Sequence, residues 1–170
     1  MAAARVGARQ RPLLGDAIQR TELVAVRIAH VGEVDVADAA RAQRVNYSVL
    51  IVDDNPANMK LVSFLLAKKG YEVSCASSAA AAIERLETSI PSAILLDLQM
   101  PSIDGFSLAR RLKADPRTRD IALLAVTAYA MIGDERRARE AGCDGYVTKP
   151  IDTRALPGIV AALIEDRARR

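Results

Sequence analysis

A chain of 170 residues has room for one domain with an ordinary core and some residues left over. Its 51% apolar and 26% charged residues are the balance of a globular protein, and a formal net charge of +3 is too small and too dispersed to argue for nucleic acid. No apolar stretch nears the roughly 20 residues that cross a bilayer, so a membrane role is not expected.

The start, MAAARVGARQRPLL, has arginines but no continuous apolar core, which makes it a poor secretory signal. Residues 1–46 mix seven arginines with five acids and hold no apolar period for long. Thr21 to Ala29 has the look of a short strand and Val36 to Gln43 of a short helix. No packed unit follows from such pieces, so a disordered N-terminal extension, or a start codon placed too early with Val45 near the true one, is expected. Residues 47–170 then form the domain. Cys75 and Cys143 are the only cysteines and show no ligand spacing, which reads as buried free thiols in a reducing cytoplasm.

From Tyr47 onward strand and helix alternate. Ser48 to Val52 is an apolar strand that ends at Asp53-Asp54. Pro56 to Lys69 is helical, with Met59, Val62, Leu65 and Leu66 on one face, Lys68-Lys69 at the negative end and Gly70 as the stop. Tyr71 to Ala76 is a second strand. Ser77 or Ser78 can cap a helix that packs Ala79, Ala82, Ile83 and Leu86. After Pro91-Ser92 comes Ile94 to Gly105, ILLDLQMPSIDG, in which an unbroken aliphatic run stops at Asp97 before turn residues. Such a run is a strand buried on both faces, and open α/β sheets place their ligands at the carboxyl ends of such strands. A helix with Phe106, Leu108, Ala109 and Leu112 facing inward follows and closes at Asp115-Pro116. Ile121 to Val126 is another wholly apolar strand, ending at Thr127. Met131 to Ala141 is a charged helix closed by Gly142, and Gly145 to Thr148 a short strand ending at Lys149-Pro150. The last helix starts at Asp152 or restarts at Pro157, and packs Ile159, Val160, Leu163 and Ile164. Five alternations without a hairpin signal imply a parallel sheet covered by helices on both faces.

In such a sheet the strand ends share one edge, so Asp53, Asp54, Asp97, Thr127 and Lys149 converge. Any one of them alone could be a helix cap or a solvated side chain; together they are a site. Two carboxylates at about 4 Å repel by roughly 4 kcal/mol at an effective dielectric near 20. A cation relieves this, and oxygen donors without His or Cys favour Mg²⁺. With a lysine and a hydroxyl beside them, the set suits phosphoryl transfer to a carboxylate.

The set Asp53-Asp54, Asp97, Thr127-Ala128 and Lys149-Pro150 resembles the receiver domain of two-component response regulators, over about Ser48 to Glu165. NPANMKL, TAYAMIGDERRAREAGCDGY and VTKPID look most like stand-alone receivers of the DivK type and receivers attached to hybrid sensor kinases. The resemblance implies a flavodoxin-like α/β fold, with five parallel strands in the order 2-1-3-4-5 doubly wound with five helices. It implies that Asp97 accepts phosphate from a phosphohistidine. Asp54, Asp97 and the backbone carbonyl of Gln99 would bind Mg²⁺, with Asp53 acting through water. Lys149 would pair with the phosphoryl oxygens, while Thr127 and the Ala128 backbone N–H hold another. Tyr146 would turn inward when Thr127 is drawn to the phosphoryl group, and the Lys149-Pro150 bond would be cis. Gln99 and Tyr129 would flank the path of a hydrolytic water and make loss of phosphate slow.

Other chemistries fit less well. A P-loop enzyme needs GxxxxGK[ST] where this chain has Asp-Asp-Asn. An aspartate-nucleophile phosphatase wants an acid where Gln99 stands, and a flavodoxin-like cofactor site would be repelled by Asp53 and Asp54. A receiver that signals without phosphorylation would not need a complete acceptor set. After the last helix there is no space for a helix-turn-helix or a catalytic domain, so DNA binding is not expected. The expected partners are a sensor histidine kinase or a histidine phosphotransfer protein, and a downstream protein met through the last two helices and the last strand. A phosphorelay shuttle and an allosteric regulator fit equally.

Overall fold

Each apolar run pairs with its neighbours in the same direction, because every link between consecutive strands holds a helix. The computed structural model describes residues 47–100, 105–128 and 132–169, with the backbone alone at 132–134. The expected extension over residues 1–46 and Tyr129 lie outside the described residues. The strands are β1 (Ser48–Val52), β2 (Glu72–Ala76), β3 (Ala93–Asp97), β4 (Ala122–Thr127) and β5 (Gly145–Thr148). The helices are α1 (Pro56–Ala67), α2 (Ala79–Thr88), α3 (Gly105–Ala114), α4 (Ile132–Glu140) and α5 (Leu156–Ala168). The sheet is parallel with five strands in the order β2-β1-β3-β4-β5, the doubly wound order expected.

Side chains alternate across the pleat and so build two cores. Val49, Ile51, Ala93, Leu95, Leu124 and Val126 face α1 and α5, where they meet Val62, Leu66, Ile159 and Leu163. Leu50, Val52, Ile94, Leu96, Leu123 and Ala125 face α2, α3 and α4, meeting Leu86, Leu108, Leu112 and Ala138. β3 is buried along its whole length, which accounts for its unbroken aliphatic run.

The helix ends follow local chemistry. Asn55 Oδ1 accepts the Ala57 N–H at 2.9 Å ahead of Pro56, and Ser78 Oγ accepts the Ala81 N–H at 3.2 Å. Beyond α1, Gly70 takes a φ of 89°, and beyond α4 Gly142 takes 92°, conformations open to glycine. The last helix settles between the two starts considered. Asp152 Oδ1 accepts the N–H groups of Arg154 and Ala155 at 2.8 and 3.2 Å, making a turn, and the helix proper starts at Leu156 with Pro157 in its first turn. Lys68 and Lys69 lie past the end of α1, and Tyr71 and Ile121 just ahead of their strands. Tyr71 serves the fold otherwise: its hydroxyl donates to the Pro157 carbonyl at 2.7 Å, joining the start of β2 to α5.

At the amino edge of the sheet, Lys113 donates to Asp144 Oδ2 at 2.7 Å and to the Ile121 carbonyl at 2.8 Å. Arg167 reaches the other Asp144 oxygen at 3.1 Å. Burial holds the Lys113 pKa below its ordinary value despite the Asp144 partner.

Both thiols are free, but only Cys143 is buried; Cys75 is half-buried on the edge strand β2, with its sulfur 3.0 Å from Ser63 Oγ. Burial, helped by Asp144, pushes the Cys143 thiol up from 9.0 to about 12. The folded chain therefore holds that proton more tightly than the unfolded chain. The resulting stabilisation is complete below pH 9.0 and is lost as pH rises through about 12. Titration with an aromatic disulfide at pH 8 is expected to modify Cys75 first and Cys143 only after denaturant is added. Equal rates for the two thiols in the native chain would contradict this burial pattern.

Candidate functional site

Strand register brings the site residues together before any side chain is considered. Val52 lies beside Leu96, Asp97 beside Val126, and Thr127 beside Thr148. Asp53 is therefore next to the end of β3, and Lys149 next to the end of β4. Pleat alternation then sorts them. Asp53, Asp97 and Lys149 share the parity of Ile51, Leu95 and Val147, which face α1 and α5. Thr127 and Tyr146 share the parity of Ala125, on the side of α4.

Asp53 and Asp97 are buried, and Asp54 is exposed. Among the described residues, Asp53, Asp54 and Asp97 form a group whose ligand oxygens lie within 4.8 Å of one another. Lys149 Nζ bridges two of the acids, at 2.6 Å from Asp97 Oδ2 and 3.2 Å from Asp53 Oδ2. Burial works against the charge on Lys149, but the bond to Asp97 and the two negative charges outweigh it, so its pKa is raised.

The remaining acid oxygens are held from the backbone. Gln99 N–H donates to Asp97 Oδ1 at 2.9 Å, and Asn55 N–H to Asp53 Oδ1 at 2.7 Å. Asn58, one turn into α1, adds a donor to Asp53 Oδ2 at 3.2 Å. Sequence reasoning did not single out Asn58; its signal was the Asn three residues after Asn55, directly behind the acid pair. The Lys149 N–H donates to the Thr127 carbonyl at 2.7 Å, which locks the ends of β4 and β5 together, and the Lys149-Pro150 bond is cis. Thr127 is buried at the end of β4. The Ala128 N–H donates to Gln99 Oε1 at 3.3 Å. Tyr146 is half-buried, and its hydroxyl donates to Glu135 Oε2 at 3.3 Å on α4, a partner with no signal in the sequence.

Two buried acids of fixed orientation, with a lysine ammonium between them, put nucleophilic carboxylate oxygens and a positive charge at one point of the sheet edge. All ligand atoms are carboxylate oxygens, the donor set for a hard divalent cation such as Mg²⁺. No helix among the described residues is long and apolar enough to cross a membrane.

Known proteins are similar to this chain in sequence and in fold. Polar-differentiation response regulator DivK of Brucella ovis is 43% identical over 104 residues, which are 61% of this chain and 85% of that protein. The crystal structure of a sensor protein from Polaromonas is 32% identical, covering 72% of this chain and 99% of that one with a TM-score of 0.67. The receiver domain of a Pseudomonas aeruginosa sensor histidine kinase, crystallised with a magnesium ion coordinated in its active-site cleft, is 30% identical. It covers 71% of this chain and 99% of its own, with a TM-score of 0.65. The family model for the response regulator receiver domain matches residues 49–161, a span that starts in β1 and ends in α5 and holds every carboxylate of the cluster, and to that family the chain belongs.

Proposed function

We propose that this chain is a response-regulator receiver that accepts a phosphoryl group on Asp97 from a phosphohistidine of a sensor histidine kinase or phosphotransfer protein. The observation that carries this is Lys149 Nζ at 2.6 Å from Asp97 Oδ2 inside a cluster of three acids. A carboxylate oxygen of Asp97 attacks phosphorus, a P–O bond forms, and the P–N bond to the donor imidazole breaks. The electron pair leaves on the imidazole nitrogen, which donor-side groups or water reprotonate.

Asp54, Asp97 and the backbone carbonyl of Gln99 would hold Mg²⁺, with Asp53 behind it through water; when bound, the ion offsets the charge of acid and phosphoryl group. Lys149 pairs with one phosphoryl oxygen, and the Thr127 hydroxyl with the Ala128 N–H holds another. Drawing Thr127 toward the phosphoryl group frees space for Tyr146 on the same sheet face, at the loss of its bond to Glu135. That carries the signal to the face of α4, β5 and α5, where a downstream protein binds. Similarity to both a named response regulator and sensor-kinase receivers supports regulator and shuttle roles alike.

Acetyl phosphate with Mg²⁺ is expected to load about one phosphoryl group per chain, and excess chelator to reduce the rate by at least about 100-fold. Labelling that ignores the chelator would overturn the metal-assisted route.

A further inference from the structure

Gln99 touches both halves of the receiving pocket. Its backbone N–H donates to Asp97 Oδ1 at 2.9 Å, and its side-chain oxygen accepts the Ala128 N–H at 3.3 Å, joining the ends of β3 and β4. The Ala128 N–H is the donor assigned above to a phosphoryl oxygen. A backbone N–H has one proton to give, so it serves one good acceptor at a time. A neutral amide oxygen held on that donor is a stand-in for the phosphoryl oxygen that must replace it.

We propose, on the basis of Asp97 as acceptor, that Gln99 is an internal occupant of the phosphoryl pocket: its side-chain carbonyl holds the Ala128 N–H in the unphosphorylated chain and must swing away before phosphate is received. Gln99 is thus a positioning residue that sets how readily the chain takes up phosphate. Two features make the occupant displaceable. The bond is near the long end of the N–H···O range, and both residues are exposed, so water can replace the amide as it leaves. Side-chain length matters as well, because an Asn at this position is one methylene shorter and would leave the Ala128 N–H out of reach.

The experiment uses the full chain with Gln99→Ala and Gln99→Asn. Backbone amide exchange at Ala128 is measured without phosphate, then half-saturation by beryllium fluoride with Mg²⁺, a phosphoryl mimic for Asp97. Both variants are expected to exchange the Ala128 amide about fivefold faster than the parent and to half-saturate at an about three- to fivefold lower beryllium fluoride concentration. A role confined to bracing the loop would leave that affinity unchanged or weaken it. Unchanged Ala128 exchange, or equal or weaker affinity in the variants, overturns the occupant role while leaving Asp97 as acceptor intact. Failure of the parent and both variants alike to take the mimic overturns Asp97 as acceptor, and the occupant role with it.

Discussion

Asp97→Asn is expected to lose phosphate uptake from acetyl phosphate with Mg²⁺, with labelling down by at least about 100-fold, while the chain stays folded. The amide has the carboxylate's shape but no charge, so it is a poor nucleophile for phosphorus. The folded state survives because two electrostatic changes oppose each other. Removing the Asp97 charge forfeits the contact with Lys149 at 2.6 Å, about 6 kcal/mol at an effective dielectric near 20. It also removes repulsion from Asp53 and Asp54, whose ligand atoms lie within 4.8 Å: about 3 kcal/mol for buried Asp53 on the same scale, and less for exposed Asp54, which solvent screens. The two changes partly offset each other, and Lys149 keeps Asp53 as a partner at 3.2 Å. Metal-free melting temperatures of parent and variant are therefore expected to be close, and added Mg²⁺ to raise the parent's more. Undiminished acid-stable labelling of the variant would show that another residue is the acceptor.

How much of this was legible in the sequence follows from where each signal arises. Strands β1, β3 and β4 announce themselves because a strand covered on both faces must be apolar throughout, and each stops at a polar residue on the site edge. β2, on the sheet's edge with Glu72 exposed, has a weaker pattern: the apolar signal begins at Tyr71, one residue ahead of the strand itself. Asn55, Ser78, Gly70 and Gly142 mark helix ends because their chemistry is local. Convergence of Asp53, Asp97, Thr127 and Lys149 needs only parallel topology, so it too could be inferred. The bonds from Asn58 to Asp53, Tyr146 to Glu135 and Gln99 to Ala128 could not, since each depends on how a helix or loop is turned against the sheet. The same holds for Lys113, Asp144 and Arg167, ordinary surface residues by composition that close the opposite edge of the sheet.

Gly105→Ala is expected to slow phosphate uptake about tenfold or more, although Gly105 carries no chemistry. It is the buried first residue of α3, and a Cβ there would lie 2.6 Å from Leu98 Cα, 2.7 Å from the Asp97 carbonyl oxygen and 3.1 Å from the Leu98 carbonyl carbon. These are backbone atoms and cannot rotate aside. The Leu98 N–H is tied to the Val126 carbonyl at 2.9 Å, and Phe106, Leu108, Ala109 and Leu112 anchor α3 in the core. Either the helix or the tip of β3 has to move, and the tip carries Asp97. Alanine gains about 1 kcal/mol in helix propensity over glycine, but overpacking against a fixed backbone costs about 1–3 kcal/mol, so a net loss of stability is expected. A shift of about 1 Å at a reacting group can cost about 100-fold in rate, which makes the effect on uptake larger than the effect on folding. Gly70→Ala is the matched control. At a φ of 89°, with nothing within 4 Å of the added Cβ, it strains the backbone by about 1–2 kcal/mol but touches no site residue. Melting temperatures should fall in both variants, and the acetyl phosphate rate in Gly105→Ala alone. Equal rates in the two variants would mean that the end of β3 absorbs the methyl group without moving Asp97.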